Sequence, residues 1–215
     1  MSKSEFLEDI LIVDDLLDSA TCQNFIEYID RACEIECAGA MHNESTPGRL
    51  DHQVFAKSES VLLDEQFTFF RAGMSGDALH TALFSKAIDP YLDKYSILKQ
   101  MPICSFDIKL QRTPPGGGFH TWHYETSSLA SCRILTWSVF LNDDFEAGET
   151  EFLYKHLRVT PKAGRCALFP SDFLSTHRGN PPIGGTKYIA TGWLVNANPF
   201  GWSDSTGQTA INTLI

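Results

Sequence analysis

Apolar residues recur with two different periods along this chain. Ile10 to Val13 is a short apolar run. After it Cys22, Phe25, Ile26 and Ile29 fall at helical spacing, which predicts a helix beginning near Ala20 with Asp18 or Ser19 as its cap. A second helical stretch is expected from Ser75 to Tyr95, interrupted near Pro90, whose missing N–H breaks the ladder. Between them, residues 38–52 are rich in Gly, Asn, Ser, Thr and Pro and read as a mobile loop. From Ile103 the period becomes two. Phe106, Ile108 and Leu110 alternate with Asp107, Lys109 and Gln111, as on a strand with one wet face. Further strands are expected at Arg133–Leu141, Glu151–Tyr154, Arg165–Phe169 and Lys187–Val195, with Asn142–Gly148 as a polar turn. Short strands at this spacing suggest a β-sandwich or jelly roll.

Composition narrows the setting. The chain has 215 residues, 43% hydrophobic and 12% aromatic, enough for a packed core and too apolar for a disordered tail. It reads as one domain over 1–215, with 1–102 as helical brace and loops and 103–196 as the β core. With 17 basic and 27 acidic residues the net charge is −10, which disfavours non-specific nucleic-acid binding. No window approaches the ~20 apolar residues of a membrane helix, and the first residues do not read as a secretory signal. A cytoplasmic protein that does not meet a membrane is therefore expected. The cysteines at 22, 33, 37, 104, 132 and 166 form no CxxC and are expected to be buried free thiols. Asn43-Glu44-Ser45 matches a glycosylation acceptor, idle in that compartment.

The candidate chemistry lies in Gly116-Gly117-Gly118-Phe119-His120-Thr121-Trp122-His123-Tyr124-Glu125. If Trp122 to Thr126 is extended, His123 and Glu125 share a face and can hold two adjacent positions on a metal. His177, just after the strand ending in Phe169, is a candidate third ligand. A two-His, one-carboxylate face leaves open positions, the arrangement of non-haem iron(II) oxygenases. His120 is the alternative to His123 but lacks the same-face spacing. Trp122 and Tyr124 would face away and pack. Ten residues after His177, Lys187 opens an apolar strand where a cation needs an anion, with Thr191 on the same face. Arg133, at the start of its strand, is either a substrate-orienting group or a surface ion pair. Arg178 either lines the pocket or is solvated. His42, His52, His80 and His156 have no partners at useful spacing and read as surface or capping residues. The triple glycine is no phosphate loop, because a strand and not a helix follows it.

From about Asp107 to Trp193 the sequence resembles the prolyl 4-hydroxylase-like 2-oxoglutarate/iron(II) oxygenases. The resemblance is carried by Gly116-Gly117 before His123-x-Glu125, by Arg133-x-x-Thr136 leading to Phe140-Leu141-Asn142, and by Gly148-Glu149-Thr150-x-Phe152. It continues through Pro161-Lys162-x-Gly164-Arg165, Phe169-Pro170, His177, Lys187-Tyr188 and Trp193. It implies a mainly β fold with N-terminal helices (α+β), built on a double-stranded β-helix. It implies iron(II) on His123, Glu125 and His177, and 2-oxoglutarate held through its distal carboxylate by Lys187 with Thr191 nearby. Oxygen is the implied co-reactant and ascorbate a candidate reductant. The implied activity is hydroxylation of a C–H bond, foremost of a peptidyl proline. The alternatives are a free amino acid, small metabolite or nucleobase as substrate, or a jelly-roll binding module without catalysis. His120, Arg133 and Arg178 are the candidate substrate residues, and the 38–52 loop is a candidate cover for an extended peptide.

Four positions depart from the family pattern. Glu125 stands where Asp is usual. Thr113, the remaining cosubstrate candidate, and Phe140 stand where tyrosines are frequent, which shifts cosubstrate binding toward Lys187. Ala147-Gly148 replaces two glycines.

Overall fold

The structure, a computed structural model, describes residues 3–39, 48–50, 65–70, 73–105, 107–126 and 131–197. A hairpin of β1 (Ser4–Leu7) and β2 (Ile10–Val13) leads into α1 (Ser19–Gly39). Of the two candidate caps the structure selects Asp18, whose Oδ1 accepts the Thr21 N–H at 2.7 Å. The second helical stretch is α2 (Gly73–Leu83), a π-helical turn at Phe84–Ile88, and α3 (Asp89–Lys94). Pro90 accounts for the interruption: it has no N–H to donate, and the Asp89 N–H reaches back to the Phe84 carbonyl.

The remaining strands are β3 (Gly48–Leu50), β4 (Glu65–Phe70), β5 (Ile103–Cys104), β6 (Asp107–Thr113) and β7 (Arg133–Phe140). They continue as β8 (Glu146–Ala147), β9 (Thr150–Phe152), β10 (Leu157–Val159), β11 (Cys166–Pro170), β12 (His177–Gly179), β13 (Pro182–Ile183) and β14 (Lys187–Asn196). The large antiparallel sheet runs β1-β2-β11-β7-β14-β6-β4-β3, with β5 also paired to β14. Facing strands form the smaller sheets β10-β9-β12 and β13-β8, completing the double-stranded β-helix.

Several boundaries differ from the sequence pattern. The N-terminal hundred residues supply β1 to β4 to the large sheet as well as the helices. Within 38–52, Gly48–Leu50 is strand, because it pairs with β4; residues 40–47 and 51–52 lie outside the described residues, as do Phe106 and the peptide-cover reading of that loop. The polar turn at 142–148 contains β8, and the strand expected at 151–154 starts one residue earlier and ends two earlier. His177 opens a strand of its own, β12, after a 3-10 turn at Phe173–Ser175.

Alternation along β6, β7, β11 and β14 gives the large sheet two unlike faces. Ile108, Leu110, Trp137, Val139, Leu168 and Leu194 pack under the helices against Phe25, Ile29, Leu79, Leu83 and Tyr91. Burial of each such side chain contributes roughly 1.5–3 kcal/mol. On the other face, Phe140, Ala167 and Phe169 meet Phe152 and Val159 of the small sheet. Beside that second cluster the inward positions turn polar, and the face of β6 expected to be wet at Lys109 and Gln111 is turned to a cavity. Gln111, Thr113, Ser138 and Thr191, at 8%, 1%, 8% and 8% exposure, do not face bulk water; they line an internal cavity. His80 is likewise buried on α2, at 7% exposure, and not a surface histidine. Of the described cysteines, Cys22 and Cys166 are buried and Cys104 and Cys132 half-buried, all as free thiols; Cys33 and Cys37 side chains are outside the described residues. Among the described residues no helix is long and apolar enough to cross a membrane.

Candidate active site

His123 is not on a continuous strand. It forms an isolated bridge to His177, in which each backbone N–H donates to the other's carbonyl, at 3.0 and 2.8 Å. Two residues on, the Glu125 N–H donates to the Ser171 carbonyl at 3.1 Å. These backbone bonds dock the 123–126 segment against β12 and the end of β11. The same-face relation of His123 and Glu125 therefore holds in a short docked segment, with His177 brought opposite by the small sheet.

Among the described residues, His123, Glu125 and His177 are the one group whose donor atoms gather closely enough to hold a metal ion, all within 4.8 Å of one another. Glu125 Oε1 lies 3.6 Å from His123 Nε2 and 3.7 Å from His177 Nε2. Bonds of about 2.0–2.2 Å to a shared ion suit such separations. The outer contacts prepare the same atoms. His123 Nδ1 meets the Thr121 carbonyl and His177 Nδ1 the Ser175 carbonyl, each at 2.9 Å. A carbonyl only accepts, so both Nδ1 atoms carry the proton and both Nε2 lone pairs point to the shared space. Burial, then the adjacent His123, holds His177 down at about 4, against the opposing pull of Glu125, so the ring is neutral as a ligand must be. Phe152 and Phe169 flank that ring at 5.6 and 5.0 Å.

Glu125 divides its two oxygens. Oε1 faces the imidazoles, while Oε2 accepts hydrogen bonds from Arg133 and from the indole Nε1 of Trp193, both at 2.9 Å. Arg133 also donates to the Glu125 backbone carbonyl and stacks on Trp193, 3.7 Å from the ring centroid. Burial by itself pushes the Glu125 carboxyl up, but His123, His177 and Arg133 outweigh it and bring it down to about 2. The carboxylate is thus ionised and fixed in rotation, with one oxygen left for an ion. Arg133 thus makes a half-buried ion pair with the candidate ligand itself, and it also lines the cavity. Trp193 was noticed in the sequence only as part of the family pattern; its contact with Glu125 had no local signal.

The cavity beyond this cluster measures about 300 Å³. At its far end Lys187, 4% exposed, donates to the carbonyls of Gly148 and Asn180 at 3.3 Å each. Thr113 sits opposite Lys187 in the β6–β14 register, and Thr191 lies four residues on along the same face. Thr191 Oγ1 bonds Ser138 Oγ at 3.4 Å and Gln111 Oε1 at 3.5 Å. The donors His123, Glu125 and His177 thus stand at one end of a polar channel and a buried cation at the other. That is a fit for a metal ion chelated by one end of a dicarboxylate. Phe140, packed in the apolar cluster, offers the channel no hydroxyl.

Two sequence candidates are placed elsewhere. Arg178 neighbours His177 on β12 and so points to the opposite face, where it pairs with Glu151 at 2.8 Å and stacks on Trp122. His120 leans on the Gly179 carbonyl through Nδ1 at 3.2 Å and is not among the cavity's lining residues. Lys109 and Gln111 do line it, although their positions in the alternation read as a solvent face.

Residues 108–195 match the sequence model of the 2OG-Fe(II) oxygenase superfamily, a stretch that holds the whole donor set and Lys187. That stretch is thus similar to the 2-oxoglutarate- and iron(II)-dependent oxygenases and contains the one group of donors among the described residues that could hold a metal ion. No curated protein sequence matches the chain. Solved structures with a similar fold include the viral collagen prolyl hydroxylase of Paramecium Bursaria Chlorella virus-1 in its 2OG complex. That structure has a TM-score of 0.62 at 18% identity, covering 88% of this chain and 96% of that one. A Pseudomonas putida prolyl-4-hydroxylase gives 0.61 at 18% identity, over 88% and 94%. A Trichoplax adhaerens prolyl hydroxylase, in complex with a hypoxia inducible factor oxygen degradation domain peptide fragment, gives 0.63 at 17%, over 88% and 84%.

Proposed function

We propose that the protein hydroxylates a prolyl residue of a peptide, with iron(II) on His123, Glu125 and His177 and the distal carboxylate of 2-oxoglutarate on Lys187. The observation that carries the site assignment is the convergence of two Nε2 lone pairs and one carboxylate oxygen at the mouth of a channel closed by a buried lysine. Peptidyl proline is supported by the kinship in fold with prolyl hydroxylases, one of them holding a peptide. When bound, iron(II) with oxygen and 2-oxoglutarate supplies the oxidising chemistry, the cosubstrate leaving as succinate and carbon dioxide.

The chain's own residues arrange that chemistry. The carbonyls of Thr121 and Ser175 keep both imidazoles in the donor tautomer. Arg133 and Trp193 keep Glu125 from rotating or chelating with both oxygens. Lys187 meets the cosubstrate's far carboxylate, with Thr113 opposite it in the register as a hydroxyl partner and Thr191 four residues on along the same face. Phe119 packs against the His123 ring and Phe152 and Phe169 against the buried His177 ring. The test is mass spectrometry of a proline-containing peptide after incubation with the iron-loaded protein and 2-oxoglutarate. A product heavier by one oxygen atom at proline, absent with His123→Ala, is expected. Succinate formation with every proline peptide unmodified overturns the substrate assignment.

A further inference from the structure

We infer that Gly179 is a specificity-determining residue for the cosubstrate: its missing side chain leaves, beside Lys187, the room that the distal carboxylate of 2-oxoglutarate fills. The inference rests on the oxygenase reading and adds the residue that admits the far end of the keto acid. A glycine in a strand weakens it, and it marks a special backbone conformation, a close approach of two backbones, or room kept for a ligand. Gly179 ends β12 and pairs with Thr150 of β9. Its φ is not positive, unlike those of Gly118 and Gly148 at +142° and +73°, so its backbone does not call for glycine. Backbone crowding does not account for it either. A Cβ at Gly185 would come within 2.7 Å of the Asp144 carbonyl, whereas one at Gly179 would meet no backbone beyond its own chain neighbours nearer than 3.9 Å, at Phe119. Its nearest contact would be Lys187 Nζ, at an ordinary 3.6 Å. Room for a ligand is the reason that is left.

The neighbours of Gly179 show which ligand. Along β12, His177 and Gly179 line the cavity together with Lys187, while Arg178 between them pairs with Glu151 on the other face. His177 belongs to the donor set, and Gly179 lies two residues on, about 7 Å along the strand. The Lys187 ammonium donates to the carbonyls of Gly148 and of Asn180, the residue after Gly179, at 3.3 Å each. A carboxylate oxygen bonded to that ammonium sits about 2.7–2.9 Å from Nζ. A methyl group 3.6 Å from the same nitrogen, on the cavity side, takes up the room that the oxygen and its carbon need. The matching ligand is a keto acid with a carboxylate at its far end, long enough to reach from the donor set past Gly179 to Lys187.

The experiment reads binding, not turnover. Iron(II)-loaded protein is titrated with 2-oxoglutarate without oxygen, following the charge-transfer absorption of the chelated metal. In Gly179→Ala the midpoint moves up about tenfold or more, while iron(II) affinity stays at the wild-type value. The same substitution in a Lys187→Ala background moves the midpoint less than about threefold, because truncating the lysine reopens the room that the methyl group takes. A midpoint unmoved in Gly179→Ala overturns the inference and leaves the oxygenase reading standing. An equal shift in both backgrounds, or a loss of iron(II) affinity, also overturns it, since the methyl group would then act through His177 two residues away. An alanine variant that does not fold, by circular dichroism, does the same, because a Cβ with no such contact under 3.6 Å demands no rearrangement. No absorption band in the wild-type protein overturns the oxygenase reading, and the role of Gly179 with it.

Discussion

Trp193 Nε1 and Glu125 Oε2 are joined by a hydrogen bond of 2.9 Å, so the last inward residue of the cavity strand holds the candidate carboxylate ligand in place. Replacing the indole with Trp193→Phe keeps a ring beneath Arg133 but removes the donor. Outer partners of metal ligands are typically worth about 10–100-fold in metal affinity. Anaerobic iron(II) titration of Trp193→Phe is expected to show a loss in that range with an unchanged circular dichroism spectrum. Wild-type affinity would show that Arg133 alone suffices.

Glu125 bears on the same contact from the other side. Its longer arm carries Oε2 to Arg133 and Trp193 while Oε1 faces both imidazoles. Glu125→Asp, although it restores the residue usual in the resembled family, shortens that reach and is expected to weaken iron binding about tenfold or more. An aspartate variant that binds iron as well as the parent would mean that Arg133 and Trp193 do not set the length of the arm.

At the closed end, Lys187→Ala removes the cation proposed to meet the distal carboxylate. Charge-assisted hydrogen bonds of this kind contribute about 1.5–3 kcal/mol, so the apparent KM for 2-oxoglutarate rises about 10–100-fold. Iron affinity is expected to be unaffected, because Lys187 is not in the donor cluster. Steady-state kinetics against 2-oxoglutarate separates the two effects.

Stability at acid pH depends on Asp14 at the end of β2. Its carboxylate accepts from Arg165 Nε at 2.6 Å and Lys162 Nζ at 3.3 Å, tying the N-terminal hairpin to the loop before β11. The Arg165 hydrogen bond, working against burial, lowers its pKa. The stabilisation is therefore fully present above the unfolded value of about 3.9 and fades as pH falls through the folded one. Asp14→Asn is expected to lose about 1–2 kcal/mol at pH 7 by urea unfolding. The difference from wild type shrinks once the pH is well below about 4. A gap of constant size across that range would assign the loss to packing.

The donor set was legible because it is local or ordered. His123 and Glu125 are two residues apart, and His177 and Lys187 follow in the sequence of a recognisable pattern. The Glu125 contacts with Arg133 and Trp193 were not legible, since they depend on three separate segments meeting at one oxygen. Lys109 and Gln111 illustrate a different limit. Period-two alternation says which residues share a face, but not whether water or another sheet covers it. The small sheet does the covering here, and polar positions that read as wet became the wall of a cavity. His120 shows a similar limit, because proximity in sequence does not determine that its ring turns to the Gly179 carbonyl.

The central claim is that His123, Glu125 and His177 hold an iron(II) ion whose open positions take the keto-acid end of 2-oxoglutarate while Lys187 takes the other end. The direct measurement is anaerobic visible absorption of the iron(II)-loaded protein titrated with 2-oxoglutarate, following the metal-to-ligand charge-transfer band that keto-acid chelation produces. The account predicts a saturable band at one equivalent of iron, lost in His123→Ala and His177→Ala and shifted to higher 2-oxoglutarate concentration in Lys187→Ala. No band in the wild-type protein, or an undiminished band in either histidine variant, would contradict it.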